Sequence, residues 1–241
     1  MSFKKTTAIV LILISGYLYS ASKTYKFKYK FKQGETYAYK LKTTSNQGRE
    51  GAVNVEMDIP MKVIRKDFRN TSDIDINIES FKLNGKVIEQ SVSASLSITP
   101  NGEISDTTSS WQGMNLELAF QYFPKKGIKV KQKWKRVIKF KLQESEINLA
   151  IRTNFKGFKT YKGKRVAVFI STFVSEESQT IFGKIKLIGK RVCYFDRAKG
   201  LLFETKSRAQ IVMYIRGITG RRVTYKKKFG PLIYSYLNLK G

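Results

Sequence analysis

Apolar and polar residues alternate with period two along most of this 241-residue chain, and no other feature restricts its fold as much. That period is the repeat of a β-strand, whose successive side chains point to opposite faces. Tyr25, Phe27, Tyr29 and Phe31 alternate with Lys26, Lys28, Lys30 and Lys32, so this segment reads as a strand with aromatics on one face and ammonium groups on the other. Gln33, Gly34 and Glu35 turn it into a second strand over 36–43. Strands follow over 53–66 and 72–83, and Asn84-Gly85 is a hairpin turn before a strand over 87–98. Asn101-Gly102 is a second signal of that kind. Further strands are predicted over 128–149, 166–174, 179–195 and 201–215, the last two joined by a turn over 196–200. Residues 223–228 and 232–239 read as a final pair divided by Gly230-Pro231.

One segment departs from the pattern. Met114, Leu118 and Gln121 fall on one side of a helix over 111–123, Leu116, Ala119, Phe120 and Phe123 extend its apolar arc, and Pro124 ends it. A single helix cannot cover both faces of a parallel sheet, so the sheet must be mainly antiparallel. Strands of ten or more residues span over about 33 Å, a length natural to a strongly curved sheet. The expected fold is therefore mainly β (α+β): a long curved antiparallel sheet, half-barrel or barrel-like, with one principal helix against its concave face. A sandwich is the alternative, because period two does not distinguish a face lining a cavity from one meeting a second sheet.

Lys4 and Lys5 precede an apolar run from Ala8 to Ile14 that extends toward Leu18, and small residues stand at Ser20 and Ser22. This is the pattern of a signal peptide over 1–22, cut before Lys23, with an uncleaved membrane anchor as the alternative; it leaves a single β-rich domain over 23–241 with a basic C-terminal segment over 205–241. The expected location is periplasmic or extracellular, with peripheral membrane association. Removing the leader lowers the formal charge from +28 to +26 on about 219 residues. A protein this basic attracts polyanions. Export replaces nucleic acid, as the physiological partner, with an anionic lipid, an acidic envelope polymer or an envelope protein.

Histidine is absent, which removes Ser/His/Asp and Cys/His catalysis and imidazole-ligated zinc. Cys193 stands alone in an apolar stretch and reads as a buried small hydrophobe. Asp73 with Asp75, and Glu144 with Glu146, share strand faces, which keeps a carboxylate-dependent hydrolase as the enzymatic alternative. Glycoside hydrolysis needs two carboxyl groups opposed across a substrate, and same-face neighbours do not supply that. No enzyme, cofactor or metal site is expected.

Two basic clusters stand out. Lys129, Lys131, Lys133 and Lys135 fall on one face of a predicted strand and, with Arg136, are the candidate site for an anionic headgroup. Arg221, Arg222, Lys226, Lys227 and Lys228 form a second patch in a tail that carries no acid after Glu204. The functional expectation is a non-enzymatic exported envelope protein that binds a hydrophobic or anionic lipid-like ligand. The alternative is a structural or protein-interaction module of the envelope.

The segments FKQGETY (31–37), ITPNGEI (98–104), FP (123–124), IKVKQKW (128–134), YKGKRVA (161–167) and YFDRAKGL (194–201) together resemble an uncharacterised family of exported bacterial β-rich proteins. In that family a Gly-Asp pair often precedes the tryptophan, where this chain has Gln132-Lys133. The long sheet is also similar to those of periplasmic lipoprotein-carrier proteins, and that likeness implies a concave acyl-binding surface. Neither resemblance brings catalytic residues with it.

Overall fold

The computed structural model describes residues 23–46, 51–109, 120–142, 145–180, 183–219 and 222–240. Its strands are β1 Thr24–Tyr25, β2 Thr36–Asn46, β3 Ala52–Lys66, β4 Ser72–Ile78, β5 Phe81–Leu83, β6 Lys86–Ile88, β7 Val92–Ile98 and β8 Ile104–Ser109. The second half adds β9 Ile128–Lys129, β10 Lys133–Leu142, β11 Ser145–Tyr161, β12 Lys164–Ser175, β13 Ser178–Thr180, β14 Gly183–Asp196, β15 Leu201–Thr219 and β16 Arg222–Leu239. Among the described residues there is no helix. The main sheet runs in the order β10-β11-β12-β14-β15-β16-β2-β3-β4-β7-β8, with β5–β6 and β13 attached at its side. Its pairings are antiparallel, as alternation and a shortage of crossover elements demand.

The sheet is not closed into a barrel, since β10 and β8 end the path. It is nevertheless curled. Two consecutive residues show it: the Tyr29 amide donates to Pro100 O (2.7 Å), in the turn after β7, and the Lys30 amide donates to Gly200 O (3.0 Å), in the turn after β14. Those turns lie six strands apart in the sheet order, about 29 Å on a flat sheet, so only strong curvature lets neighbouring residues reach both.

The segment that bridges them corrects the sequence reading. Residues 26–32 are extended but belong to no sheet; only Thr24 and Tyr25 pair, with Lys129 and Ile128. The backbone of this strap bonds to turns instead of a ladder, yet its alternation holds: Phe27, Tyr29 and Phe31 are buried while Lys26, Lys28, Lys30 and Lys32 are exposed. The three rings fill the concave face. Phe27 packs on Phe123, Phe155 and Phe169, and Tyr29 on Phe31 and Phe195, with centroids 5.0–5.5 Å apart. Ile59, Met61 and Val63 from β3, with Ile74, Ile76 and Ile78 from β4, complete the same core.

The helix expected over 111–123 lies mostly outside the described residues, and its end is non-helical: the Gln121 amide donates to the Tyr29 hydroxyl (3.0 Å) and the Phe123 amide to Asn101 O (2.8 Å). The predicted strand over 128–149 falls in three elements, and Lys131 separates the first two, β9 and β10, with a left-handed φ of 68°. The predicted final pair is one strand, β16, with its register shift at Gly230-Pro231. Asn84-Gly85 forms the expected hairpin turn, with φ of 48° and 83°.

Two glycines make the strap possible. Gly200 (φ 69°) has no room for a Cβ against Lys30 and the Lys28 carbonyl, and Gly102 (φ 80°) none against Gln121 O and the Tyr29 ring. Gly34 (φ 80°) has open space around it. Gly34→Ala therefore meets backbone strain alone and is expected to cost about 1 kcal/mol. Gly200→Ala adds a backbone clash and is expected to cost about 2–4 kcal/mol in urea unfolding. Equal losses at the two sites would contradict the close approach of the strap.

Candidate functional site

The outward half of the strap is a lysine ridge. Alternate side chains of an extended segment lie about 6.6–6.8 Å apart, so Lys26 to Lys32 spans roughly 20 Å. The ridge is held from below: Lys30 Nζ donates to Ala198 O (3.1 Å), Arg197 Nε donates to Lys26 O (3.4 Å), and Lys66 Nζ donates to Phe31 O (3.3 Å). Pairing of Thr24 with Lys129 brings Lys129 and Lys131 to its start, and the turn over 196–200 adds Arg197 and Lys199. Two of the acids here, Glu35 and Asp196, are already engaged. Glu35 accepts from Tyr37 Oη (2.8 Å) and Lys32 Nζ (3.0 Å), bonds that hold its carboxyl below the usual range, and Asp196 Oδ1 accepts the Lys199 amide (3.0 Å).

The predicted headgroup residues are therefore divided. Lys129 and Lys131 join the strap end, whereas Lys133 and Lys135 are exposed on β10. Arg136 points to the opposite face of β10, half-buried, its guanidinium 4.8 Å from the Tyr122 ring centroid. The left-handed turn at Lys131 is the reason they do not share one face. Lys135 aligns instead across strands, through the pairings Lys135–Arg152, Arg152–Thr172, Thr172–Lys190 and Lys190–Arg208. Of the second patch, Arg221 lies outside the described residues, and Arg222, Lys226, Lys227 and Lys228 lie on β16 opposite Thr219, Ile215, Tyr214 and Met213. The sequence reading did not single out Lys26, Lys28 and Lys30 as a cluster, although their alternation was the available signal.

Among the described residues, two charges are buried in the sheet. Glu204 has a fully covered side chain, under the β11–β12 hairpin tip. Its Oε1 accepts from Tyr161 Oη (2.7 Å) and lies 3.2 Å from Lys206 Nζ, and its Oε2 accepts from Lys162 Nζ (2.6 Å) and Tyr236 Oη (2.8 Å). Burial alone would raise this carboxyl; the bonds from Lys162, Tyr161, Tyr236 and Lys206 outweigh it and hold the pKa below the ordinary carboxylate value. The bond to Glu204, then that to Tyr236, raises the Lys162 ammonium well above the usual lysine range. Lys162 also adopts a φ of 49°, so its backbone is strained where its side chain is anchored. A bulge at Gly157 (φ 102°) shifts the β11–β12 register before this contact, and Tyr161 stacks on Tyr194 at 4.2 Å. With four donors on two oxygens, Glu204 is a fastening rather than a catalytic acid.

Arg191, also buried, donates to Phe120 O and Gln121 Oε1, both at 3.1 Å, and thereby ties the 120–123 segment to β14. Cys193 lies in the same core, its thiol pushed up to about 12 by burial against the opposing pull of Arg191.

The carboxylate pair Asp73 and Asp75 is occupied by local partners: Asp73 accepts from Arg65 Nε (2.9 Å) and Ser97 Oγ (2.7 Å), and Asp75 from Ser95 Oγ (2.8 Å). The side chains of Glu144 and Glu146 lie outside the described part. A cleft of about 450 Å³ opens beside β3, where Pro60 lies between its partners β4 and β5, lined by Glu56, Asp58, Glu79 and Lys82. Glu56 is held by Lys42 (2.7 Å) and Asp58 by Lys240 (2.6 Å). Among the described residues no cluster of three or more acidic, cysteine or histidine side chains is placed to hold a metal ion.

No family model matches the chain, and no curated protein matches it.

The Glu204 fastening carries a pH signature. A carboxyl whose folded pKa is depressed stabilises the fold above its unfolded value, about 4.3, and that contribution disappears as pH falls through the lower folded value. Glu204→Gln is expected to cost about 1–3 kcal/mol at neutral pH. Urea unfolding of the two proteins should converge below about pH 4; a difference that persists unchanged at acidic pH would contradict this role.

Proposed function

We propose that this is a non-enzymatic exported envelope protein that binds anionic lipid headgroups through its strap end. The observation that carries the reading is the Lys26–Lys32 ridge: cations at fixed spacing, anchored through their own backbone, with Glu35 and Asp196 beside them engaged. Because the rings beneath hold the strap, binding demands little further ordering of the backbone. The expected leader over 1–22 runs directly into Lys23, so the strap end is also the part nearest the membrane as the chain emerges. The concave face supports the headgroup part of the ligand expectation more than the acyl part, since the chain's own Phe27, Tyr29, Phe31 and Phe123 occupy its core. A purely structural envelope role is the alternative outcome of the test.

Each cation near an anionic surface contributes on the order of 1 kcal/mol, diminished by salt. Replacing Lys26, Lys28, Lys129 and Lys131 together by glutamine, and sparing Lys30 and Lys32 because they hold structural bonds, is expected to weaken binding to vesicles containing phosphatidylglycerol at least tenfold and to flatten the salt dependence. Absence of any wild-type preference for these vesicles over neutral phosphatidylcholine at low salt would overturn the proposal.

A further inference from the structure

The turn joining β3 to β4 is held by local hydrogen bonds of Asp67, Asn70 and Thr71. The Asp67 amide donates to Thr71 O (3.0 Å), its carbonyl accepts the Asn70 amide (3.0 Å), and its Oδ1 accepts the Thr71 amide (2.7 Å). Asn70 takes the left-handed position at φ 62°, which asparagine tolerates. Phe68 has no such reason to be there. It is 88% exposed, beyond any other large hydrophobic residue among those described. A rigid hairpin tip that holds a phenyl ring in water departs from turn chemistry in the manner expected of a functional position.

Its surroundings indicate what the ring meets. Ile64, the extra residue of the bulge between Val63 and Arg65, is 45% exposed behind the tip. Arg65 and Arg69 are exposed beside it, the Arg69 guanidinium 5.1 Å from the Phe68 ring centroid, and Lys62 is exposed farther back on β3, opposite Asp75. The nearby acids are engaged, Asp67 within the turn and Asp73 with Arg65 and Ser97. The tip stands beside the far end of the strap, where the Gly34 amide donates to Val63 O (2.9 Å) and Lys66 Nζ to Phe31 O. An apolar tip ringed by cations, next to a lysine ridge, suits the boundary between headgroups and acyl chains of an anionic bilayer.

We propose that Phe68 is a membrane-inserting residue: its ring enters the headgroup–acyl boundary while Arg69 meets a lipid phosphate. This rests on the headgroup reading of the strap end and assigns its point of insertion.

The buried Cys193, with its raised pKa, leaves a cysteine introduced at position 68 as the site for selective labelling. The full chain carrying Phe68→Cys, labelled with an environment-sensitive fluorophore, is mixed with vesicles of phosphatidylcholine containing about one-third phosphatidylglycerol. Inserted probes are expected to shift to the blue and to be quenched by bromines placed high on the acyl chains. Unlabelled Phe68→Ser, which removes only an exposed side chain and should leave the thermal midpoint unchanged, is expected to bind these vesicles about tenfold more weakly. An unshifted probe and undiminished Phe68→Ser binding, while the wild type binds in a lysine-dependent manner, would overturn insertion and leave the strap reading standing. Failure of the wild type to bind anionic vesicles would overturn both.

Discussion

Packing of Phe27, Tyr29 and Phe31 into the curl of the sheet is the contact on which the rest of this structure depends. A sheet buries its apolar face only against another layer. Among the described residues that layer is no helix; it is a strap and the 120–128 segment, whose Phe120, Phe123 and Ile128 join the same core. Aromatic pairs contribute about 0.5–1.5 kcal/mol beyond the area they bury. The strap rings touch residues of β11, β12 and β14 on one side and the turn after β7 on the other, so they also fix the curvature.

The same alternation that drives three rings inward drives four lysines outward, which makes the ridge a geometric consequence of the core. Each of the two charges buried among the described residues ties one piece of chain to the sheet. Glu204 is bound by Lys162 and Tyr161 from a hairpin tip folded onto the outer face. Arg191 is bound by the carbonyl of Phe120 and the amide oxygen of Gln121 on the inner one. The bonds to Glu204 outweigh its desolvation, whereas burial still pulls the Arg191 guanidinium below its ordinary value; Arg191 holds a segment, 120–123, that no strand ladder holds.

The antiparallel sheet, the turns at Asn84-Gly85 and 196–200, and the burial of Cys193 were legible because each depends on neighbours in sequence. The strap was not, because an extended segment off the sheet alternates just as a strand does, and only the partners of the Tyr29 and Lys30 amides distinguish the two. The cation row through Lys135, Arg152, Lys190 and Arg208 depends on register across four long pairings, which a one-residue slip would rearrange. Lys129 and Lys135 looked collinear because a lysine seldom adopts the left-handed φ that Lys131 has here. Phe68 escaped notice for the opposite reason: in sequence it is one more aromatic at the end of a strand, and its exposure follows from the turn geometry around Asp67 and Asn70.

Native-state hydrogen exchange at the Tyr29 and Lys30 amides tests the central claim most directly. If the strap is the inner layer of the fold, both amides exchange only through global unfolding, as slowly as those of Phe169 on β12 and Cys193 on β14. Fast exchange at Tyr29 and Lys30 while Phe169 and Cys193 stay protected would show a strap that detaches from a sheet stable without it, and the fixed lysine ridge would go with it.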